Sequence, residues 1–338
     1  MTNGLSLLFV VLGLVGLYLG GDWLVKGATR LAESLGVSTL LIGLTVVAVG
    51  TSSPELLVSL SAAARGENEM ALGNVIGSNI ANIGLILGLT ALVRPIVLQR
   101  VSVKRQLPLL VLVTLLVGFV AINGTIGRLE GLAMVAGYAA LTAAAYVLAR
   151  RSPAEAGAAT KAEAAPTTPT VTADAPPWKR HPHADEPNTH RGKEFGRIAL
   201  GILFLVIGAQ MLVQGATDIA VAIGISQFLI SITQVALGTS LPELVTSVSS
   251  ARKGESGLAL GNVTGSNIAN ILLVLGLSAL IDPIAVDPLV SRGSFIAMVL
   301  FALVLLPFAR DYVFSKREGL FLVAAYWVLV VAAFVAFQ

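Results

Sequence analysis

Long apolar segments, separated by short polar ones, run along almost the whole chain of 338 residues. Ten of these segments come near or exceed the roughly 20 residues that a helix needs to cross a bilayer. They lie at about 5–29, 38–63, 70–93, 106–123, 130–149, 196–220, 226–250, 257–281, 291–309 and 319–337. The pattern predicts an all-α integral membrane protein with ten transmembrane helices.

A polar stretch divides the ten segments into two sets of five. The stretch from Ser152 to Glu194 is rich in Ala, Pro and Thr and holds all three histidines, His181, His183 and His190. Such a composition cannot bury enough apolar surface to fold alone. We therefore predict a first membrane repeat at 1–150, a disordered linker at 151–195 and a second membrane repeat at 196–338. Metal sensing by the histidines is the alternative, and composition favours a solvated linker.

One motif occurs in both halves, at a constant offset of 188 residues. Gly50–Glu55 reads GTSSPE and Gly238–Glu243 reads GTSLPE, while Gly73–Asn82 reads GNVIGSNIAN and Gly261–Asn270 reads GNVTGSNIAN. About two thirds of the positions are identical between 45–96 and 233–284. Two copies with five helices each must have opposite orientations, which predicts an inverted repeat about an axis in the membrane plane. The two motifs then meet near the midplane.

Each motif places a carboxylate directly after a proline. Pro54 and Pro242 lack the N–H that would bond the carbonyl four residues back, so we expect broken helices at the midplane. A freed carbonyl in lipid must face protein, water or an ion. Glu55 and Glu243 follow the two breaks beside Thr and Ser residues, and such oxygen donors suit a hard cation.

Burying two carboxylates in a membrane requires compensating charge. One carboxylate at the bilayer centre costs about 2.5–3.5 kcal/mol on insertion scales. No Lys or Arg lies within the helical interior of either motif, so cations or protons from outside the chain must supply the charge. The empty pair would carry two negative charges in a dry cavity. Only loaded states should therefore cross readily, which favours exchange over one-way flow.

Composition and charge agree with a membrane protein. The chain is 55% hydrophobic and only 12% charged, with a mean hydropathy of +0.85. It has no Cys, which excludes disulfides, thiolate nucleophiles and Cys-bound zinc. The net charge of +3 gives no reason to expect a nucleic-acid partner. An ion pair within one helix is the expected role of Asp22, which lies four residues before Lys26.

The basic residues also predict the orientation. If the ten spans are right, the side that holds both termini has only Arg65, Arg128 and Arg292, and the other 19 of the 22 Lys and Arg lie opposite. The basic side of a membrane protein is normally cytoplasmic. We expect a multi-pass protein of the cell (inner) membrane, with both termini outside and the linker in the cytoplasm.

At these residues the chain resembles a known family. Acid, Pro, Thr-Ser, Gly-Ser-Asn and a trailing Asn recur in both motifs, as in the α-repeats of the cation/calcium antiporter superfamily, most closely the prokaryotic sodium/calcium exchangers. The first and sixth helices also match each other, at Gly27-Ala28-Thr29 and Gly215-Ala216-Thr217. The resemblance implies alternating access, in which these two helices slide across a core made by the other eight.

The resemblance also implies a ligand set. Glu55 and Glu243 would be the central calcium ligands, together with the backbone carbonyls of Thr51 and Thr239. One sodium site, toward the cytoplasm, would use Ala48, Thr51, Ser52, Ser78 and Glu243. Its counterpart toward the outside would use Ala236, Thr239, Ser240, Ser266 and Glu55. The middle position would be flanked by Asn82 and Asn270.

Two of these expectations leave alternatives open. Ser78, Asn82, Ser266 and Asn270 could instead be interhelical hydrogen-bonding residues, although their match to the acid-bearing half favours ligands. Some family members have Asp where this chain has Asn270, so the resemblance argues against potassium co-transport.

We expect a secondary active antiporter rather than an enzyme, exchanging Ca²⁺ for Na⁺ in a lipid bilayer without a resident cofactor. Exchange for H⁺ is the main alternative, since two glutamates suit either driver, and the flanking hydroxyls favour Na⁺. A cation channel, an intramembrane hydrolase and a non-transporting receptor fit less well. The sequence leaves the oligomeric state open, with a monomer plausible.

Overall fold

The computed structural model describes residues 3–120, 124–151, 191–223, 238–286 and 288–336. These parts are almost entirely helical. The helices are α1 (Asn3–Leu35), α2 (Thr39–Ile42), α3 (Ala48–Thr51), α4 (Ser53–Ala64), α5 (Asn68–Ala81), α6 (Gly88–Val93), α7 (Leu107–Val120), α8 (Arg128–Arg151), α9 (Arg191–Ala222), α10 (Leu241–Lys253), α11 (Ser256–Ala269), α12 (Leu275–Ile281), α13 (Pro288–Phe308) and α14 (Lys316–Ala336). Four two-residue strands connect some of them, β1 (Ile96–Val97), β2 (Thr125–Ile126), β3 (Ile284–Ala285) and β4 (Val313–Phe314).

Helices α1 and α9 form a long antiparallel pair held together by glycines. A Cβ on Gly20 would lie 2.8 Å from the Gly201 carbonyl oxygen, and one on Gly13 would lie 2.8 Å from that of Gly208. Small residues let membrane helices approach this closely, which replaces the hydrophobic driving force that lipid removes. Gly13 and Gly20 have Gly201 and Gly208 as their counterparts, meaning the residues 188 positions later. The sequence repeat therefore extends into this pair.

The first proline motif breaks its helix as predicted. The run Thr39–Thr51 meets Ser53–Ala64 at a bend of 48°. Ser52 is the break, with φ −79° and ψ 10°, and Pro54 lies in the first turn of α4. In the second copy Ser240 has nearly the same conformation, φ −90° and ψ 4°, directly before α10. Residues 224–237, which would precede that break, lie outside the described part of the chain.

Two helical runs form the centre of the core. Asn68–Val93 joins α5 and α6 through a π-helical segment at Asn82–Leu87, and Ser256–Ile281 joins α11 and α12 through one at Asn270–Val274. The two π segments begin at counterpart positions, and π segments often occur at functional sites. Gly265 lets this core close around the broken helix, because a Cβ there would lie 2.7 Å from the Leu44 Cα.

The short strands carry the two-fold relation into the loops. Strand β1 pairs with β4, with Ile96 opposite Phe314, and β2 pairs with β3, with Ile126 opposite Ile284. Ile284 is the counterpart of Ile96, and Phe314 is the counterpart of Ile126. One strand pair is thus the repeat-related copy of the other, and all four of these side chains are fully buried.

Two boundaries differ from the sequence expectation. Helix α1 reaches Leu35 and α9 begins at Arg191, inside the linker predicted at 151–195. The polar ends stay helical because charged side chains bind across the pair. Arg191 of α9 donates to the Ser34 carbonyl oxygen of α1 at 3.0 Å, and Arg30 of α1 lies 3.9 Å from Glu194 of α9. Within α9, Glu194 also accepts hydrogen bonds from Arg197 at 3.0 Å. Most of the predicted linker, including its histidines, lies outside the described residues.

Five helical runs in the described ranges are long and apolar enough to cross a membrane, and a sixth is obtained if the bent pair counts as one span. They are Gly4–Leu35, Asn68–Val93, Arg128–Leu148, Arg191–Ala222 and Ser256–Ile281. The structure therefore confirms a mostly helical protein with several helices long and apolar enough to span a membrane, and the count of ten remains a prediction.

Candidate cation site

The two motif acids lie at matching places in the fold and are almost completely buried. Glu55 is in the first turn of α4 with 1% of its surface exposed, and Glu243 is in the first turn of α10 with 0% exposed. A helix N-terminus favours a negative charge, which makes these positions suitable for carboxylates. Each break at a serine thus presents one acid at the start of a new helix.

Each acid is bound by a serine from the other half of the chain. The Ser52 hydroxyl donates to Glu243 Oε1 at 2.9 Å, and the Ser240 hydroxyl donates to Glu55 Oε1 at 3.1 Å. The second oxygen, Oε2, of either acid has no hydrogen-bond partner among the described residues. The two motifs therefore meet in one site, as the sequence predicts, and each acid keeps an unpaired oxygen for another ligand.

Two asparagines fix the acid-bearing helices, and sequence reasoning missed this role. Asn74 Nδ2 donates to the Glu55 carbonyl oxygen at 3.1 Å and to Ser59 Oγ at 2.9 Å. Its counterpart Asn262 repeats the arrangement, at 3.2 Å to the Glu243 carbonyl oxygen and 2.9 Å to Ser247 Oγ. The only signal in the sequence is that an Asn is the second residue of each copy of GNVxGSN, 19 residues after the acid.

Asn262 makes one further bond that joins the two halves. The Thr51 hydroxyl lies 3.0 Å from Asn262 Oδ1, to which it donates, and 3.3 Å from the Ala48 carbonyl oxygen. Thr51 and Ala48 are both fully buried in α3. The last turn before the break is therefore tied to α11 of the other half, which places the first proline motif against the second acid.

The remaining predicted residues differ in how they are bonded. Asn82 Nδ2 donates to Asn267 Oδ1 at 2.9 Å, so this residue does bridge two helices. Asn270 is 1% exposed, yet neither atom of its amide has a partner within the described ranges, and the same holds for the hydroxyl of the buried Ser266. An unpaired buried polar atom needs an explanation. The interhelical-bonding alternative therefore fits Asn82, and for Asn270 and Ser266 the role as ligands stays a prediction.

Three predicted site residues remain, Ser78, Thr239 and Ala236. Ser78 is buried on α5, one turn before Asn82. Thr239 is half-buried directly before Ser240. The prediction for Ala236 concerns a position outside the described part of the chain.

Within the described residues, no basic side chain balances the charge of the two acids. No ion pair found in the described part of the chain involves Glu55 or Glu243. The described residues also contain no cluster of three or more His, Cys, Asp or Glu side chains. What surrounds the two carboxylates is a set of hydroxyl, amide and carbonyl groups. This donor set suits hard cations such as Ca²⁺ and Na⁺.

The sequence profile of a family described as sodium/calcium exchanger protein matches this chain twice, at residues 5–147 and 193–335. The chain belongs to the sodium/calcium exchanger family. The profile covers most of both halves and leaves out the polar stretch between them. This family consists of membrane transporters rather than enzymes, and it falls within the cation/calcium antiporter superfamily that the motifs indicated.

Similar proteins span nearly the whole exchanger. The putative antiporter CaxA of Alkalimonas amylolytica is 39% identical over 292 residues, 86% of each chain. Sodium/calcium exchanger MaX1 of Methanosarcina acetivorans is 35% identical over 97% of this chain and 98% of its own. A solved structure of the sodium-calcium exchanger NCX_Mj, soaked with zero Na⁺ and Ca²⁺, has a TM-score of 0.80 at 29% identity. It covers 97% of this chain and 99% of that one, so the two share one fold.

Proposed function

We propose that this exchanger moves Ca²⁺ against Na⁺ by alternating access, with Glu55 and Glu243 as the central cation ligands. The observation that carries the proposal is the reciprocal bonding of each acid by the serine of the other half. That arrangement brings two carboxylates into one buried site and leaves an unpaired oxygen on each. Family membership and the similarity to MaX1 and NCX_Mj indicate that the transported ions are Na⁺ and Ca²⁺.

The proposed ligands fall into three groups around the two acids. The backbone carbonyls of Thr51 and Thr239 complete the calcium site. The two sodium sites use Ala48, Thr51, Ser52, Ser78 and Glu243 on one side, and Ala236, Thr239, Ser240, Ser266 and Glu55 on the other. Asn82 and Asn270 flank the middle position. The unpaired atoms of Ser266 and Asn270 support their assignment as ligands.

The proposed architecture is two inverted five-helix repeats, at 1–150 and 196–338, joined by a cytoplasmic linker at 151–195. Support comes from the constant offset of 188 residues, which relates the motifs, the glycines of α1 and α9, and the two strand pairs. The two family matches fall on the two proposed repeats. Both termini lie outside the cell in this proposal, because nearly all Lys and Arg are on the opposite side.

Sodium is the proposed driver because hydroxyls surround the acids. Ser52 and Ser240 contact the carboxylates directly, while Ser78 and Ser266 are buried on the neighbouring helices. A proton carrier needs the acids but no such oxygen cage. Exchange of Ca²⁺ for H⁺ by the same two acids is the alternative that the transport experiments must separate.

Counterflow tests the carrier mechanism. Vesicles holding the purified protein and unlabelled Ca²⁺ should take up radioactive Ca²⁺ faster than vesicles without internal Ca²⁺, because a carrier returns loaded, whereas a pore shows no such stimulation. Glu55→Gln and Glu243→Gln should each abolish this counterflow while the protein still inserts and elutes as a folded species. Near-normal counterflow in either variant would refute the assignment of the two acids.

A further inference from the structure

Helix α1 covers one side of α10 and is bonded to its end. A Cβ on Gly21 would lie 2.9 Å from Val245 Cγ1 and 3.0 Å from Ser249 Oγ, so the two helices touch closely there. Next to this contact, Lys253 Nζ donates to Asp22 Oδ1 at 2.7 Å and to the Asp22 carbonyl oxygen at 3.1 Å. The predicted pair with Lys26 is also present, at 2.8 Å. An ion pair thus closes the seam between α1 and α10 at the protein surface.

The counterpart face on α4 is uncovered. Leu57, the counterpart of Val245, is 62% exposed, and Ser61, the counterpart of Ser249, is also exposed. Arg65, the counterpart of Lys253, instead binds Glu67 of its own loop at 2.9 Å. The counterpart of Asp22 is Gln210, which carries no charge. Helix α1 therefore covers α10, while the counterpart face of α4 is exposed. Among these related positions, only the α10 side has an ion pair like that of Asp22 and Lys253.

A polar stripe on α10 leads from the seam to the acid. At 100° per residue, Val245, Ser249 and Lys253 share the side that faces α1, and Glu243 lies on another side. Thr246 and Ser250 fall on the stretch of surface between the two sides. Both are fully buried, and the Thr246 hydroxyl has no partner in the part of the chain that the structure describes.

The Ser250 hydroxyl donates to the Thr246 carbonyl oxygen at 2.8 Å, so the counterpart positions bear on the unpaired Thr246 hydroxyl. On α4 they are Val58 and Ala62, so the stripe from the surface to Glu55 is apolar where the one to Glu243 is polar. Val has the shape of Thr without its hydroxyl. A fold that accepts Val at one copy of this position has no steric need for Thr at the other. The Thr246 hydroxyl, unpaired among the described residues, is therefore free to bind a ligand.

We propose that ions pass between Glu243 and the surface that Lys253 faces along this stripe, with Thr246 Oγ1 as an additional cation ligand on the way. The route opens when α1 leaves α10, and the Asp22–Lys253 ion pair holds it shut. A hydroxyl oxygen is a suitable transient ligand for Na⁺ or Ca²⁺. The inference rests on the proposed antiport, and in the orientation proposed above this surface is cytoplasmic. The two faces of the exchanger then differ in their ligands.

Thiol labelling tests the route without requiring transport. The natural chain has no Cys, so Thr246→Cys and the matched control Val58→Cys each introduce a single thiol. We expect a membrane-impermeant methanethiosulfonate reagent, applied to right-side-out and inside-out vesicles, to reach the two thiols from opposite sides. Adding Asp22→Asn should speed labelling at position 246 several-fold. Labelling of both thiols from the same side would overturn the proposed route. An unchanged labelling rate with Asp22→Asn would overturn the role of the Asp22–Lys253 ion pair in keeping it shut.

A sidedness assay tests the ligand. Thr246→Val should raise the half-saturating Ca²⁺ concentration for counterflow about three- to tenfold at the face of Lys253, because one polar contact with the ion is lost. The half-saturating concentration at the other face should not change. Thr246→Ser should restore the original value. Val58→Thr is the matched control and should leave the face of Lys253 unaffected. A half-saturating concentration that changes equally at both faces, or at neither, would overturn the role of Thr246. Absence of counterflow in the unmodified protein would instead refute the proposed function.

Discussion

At the residue scale, bonds between the two halves of the chain hold the site together. Ser52 and Ser240 each bind the acid of the opposite half, and Thr51 binds Asn262. A cation held by both acids would therefore pull on both halves at once. If the two acids bind the cation as proposed, an empty site would leave two buried carboxylates without compensation.

The two positioning asparagines allow a prediction with an internal control. Asn74 makes two hydrogen bonds and Asn262 makes three, the third from Thr51. At about 1 kcal/mol for each net bond, Asn74→Ala should lower the free energy of unfolding by about 2 kcal/mol and Asn262→Ala by about 3 kcal/mol. Thermal unfolding of the purified variants in detergent should show the larger loss for Asn262→Ala. The reverse order would contradict the cross-half bond.

The sequence could point to the acids and serines of the site, but not to the positioning role of Asn74 and Asn262. Glu55 and Glu243 stand out because a carboxylate in an apolar helix is costly wherever it lies. The task of Asn74 depends on a carbonyl 19 residues earlier, and that distance becomes short only after α4 and α5 pack. Nothing in a polar residue on an apolar helix shows which neighbour it will meet.

At the element scale, the proline rule was a reliable guide and the ends of helices were not. The break at Ser52 follows from the missing N–H of Pro54, which is a local property. The ends of α1 and α9 depend on partners distant in sequence, such as Arg191 for Ser34 and Arg30 for Glu194. Apolar pattern alone therefore placed the end of the first span at residue 29 instead of Leu35.

The antiparallel α1–α9 pair should be sensitive to a single methyl group. Gly20→Ala would place a Cβ 2.8 Å from the Gly201 carbonyl oxygen, forcing the helices apart at a cost of about 1–3 kcal/mol. Gly137→Ala on α8 is the control, because nothing lies within 4 Å of the added atom. Melting temperatures should fall for the first variant and not for the second. Equal melting temperatures would show that the pair is looser than described.

At the scale of the whole molecule, one offset organises the exchanger. It relates the acids, the serines, the asparagines, the π segments and the strand pairs. The sequence could predict this relation because the offset is visible in the letters. It could not predict that α10 is covered by α1 while the counterpart face of α4 is exposed, since the two halves have the same motif and the difference lies in how they pack.

The stoichiometry is a property of the whole cycle. If three Na⁺ exchange for one Ca²⁺, as the resemblance implies, each cycle moves one net charge, and proteoliposomes should show a transient current when Ca²⁺ is added outside against internal Na⁺. The current should reverse when the two ions change sides. Electrically silent exchange, or a current that ignores the sodium gradient, would contradict this stoichiometry.

The most direct measurement is uptake of radioactive Ca²⁺ into proteoliposomes under an outward Na⁺ gradient, an outward H⁺ gradient or neither, with Glu55→Gln as the inactive control. The account predicts uptake with the Na⁺ gradient alone and none in the variant. Uptake with the H⁺ gradient alone would contradict sodium as the driver and leave the serines around the acids as packing residues.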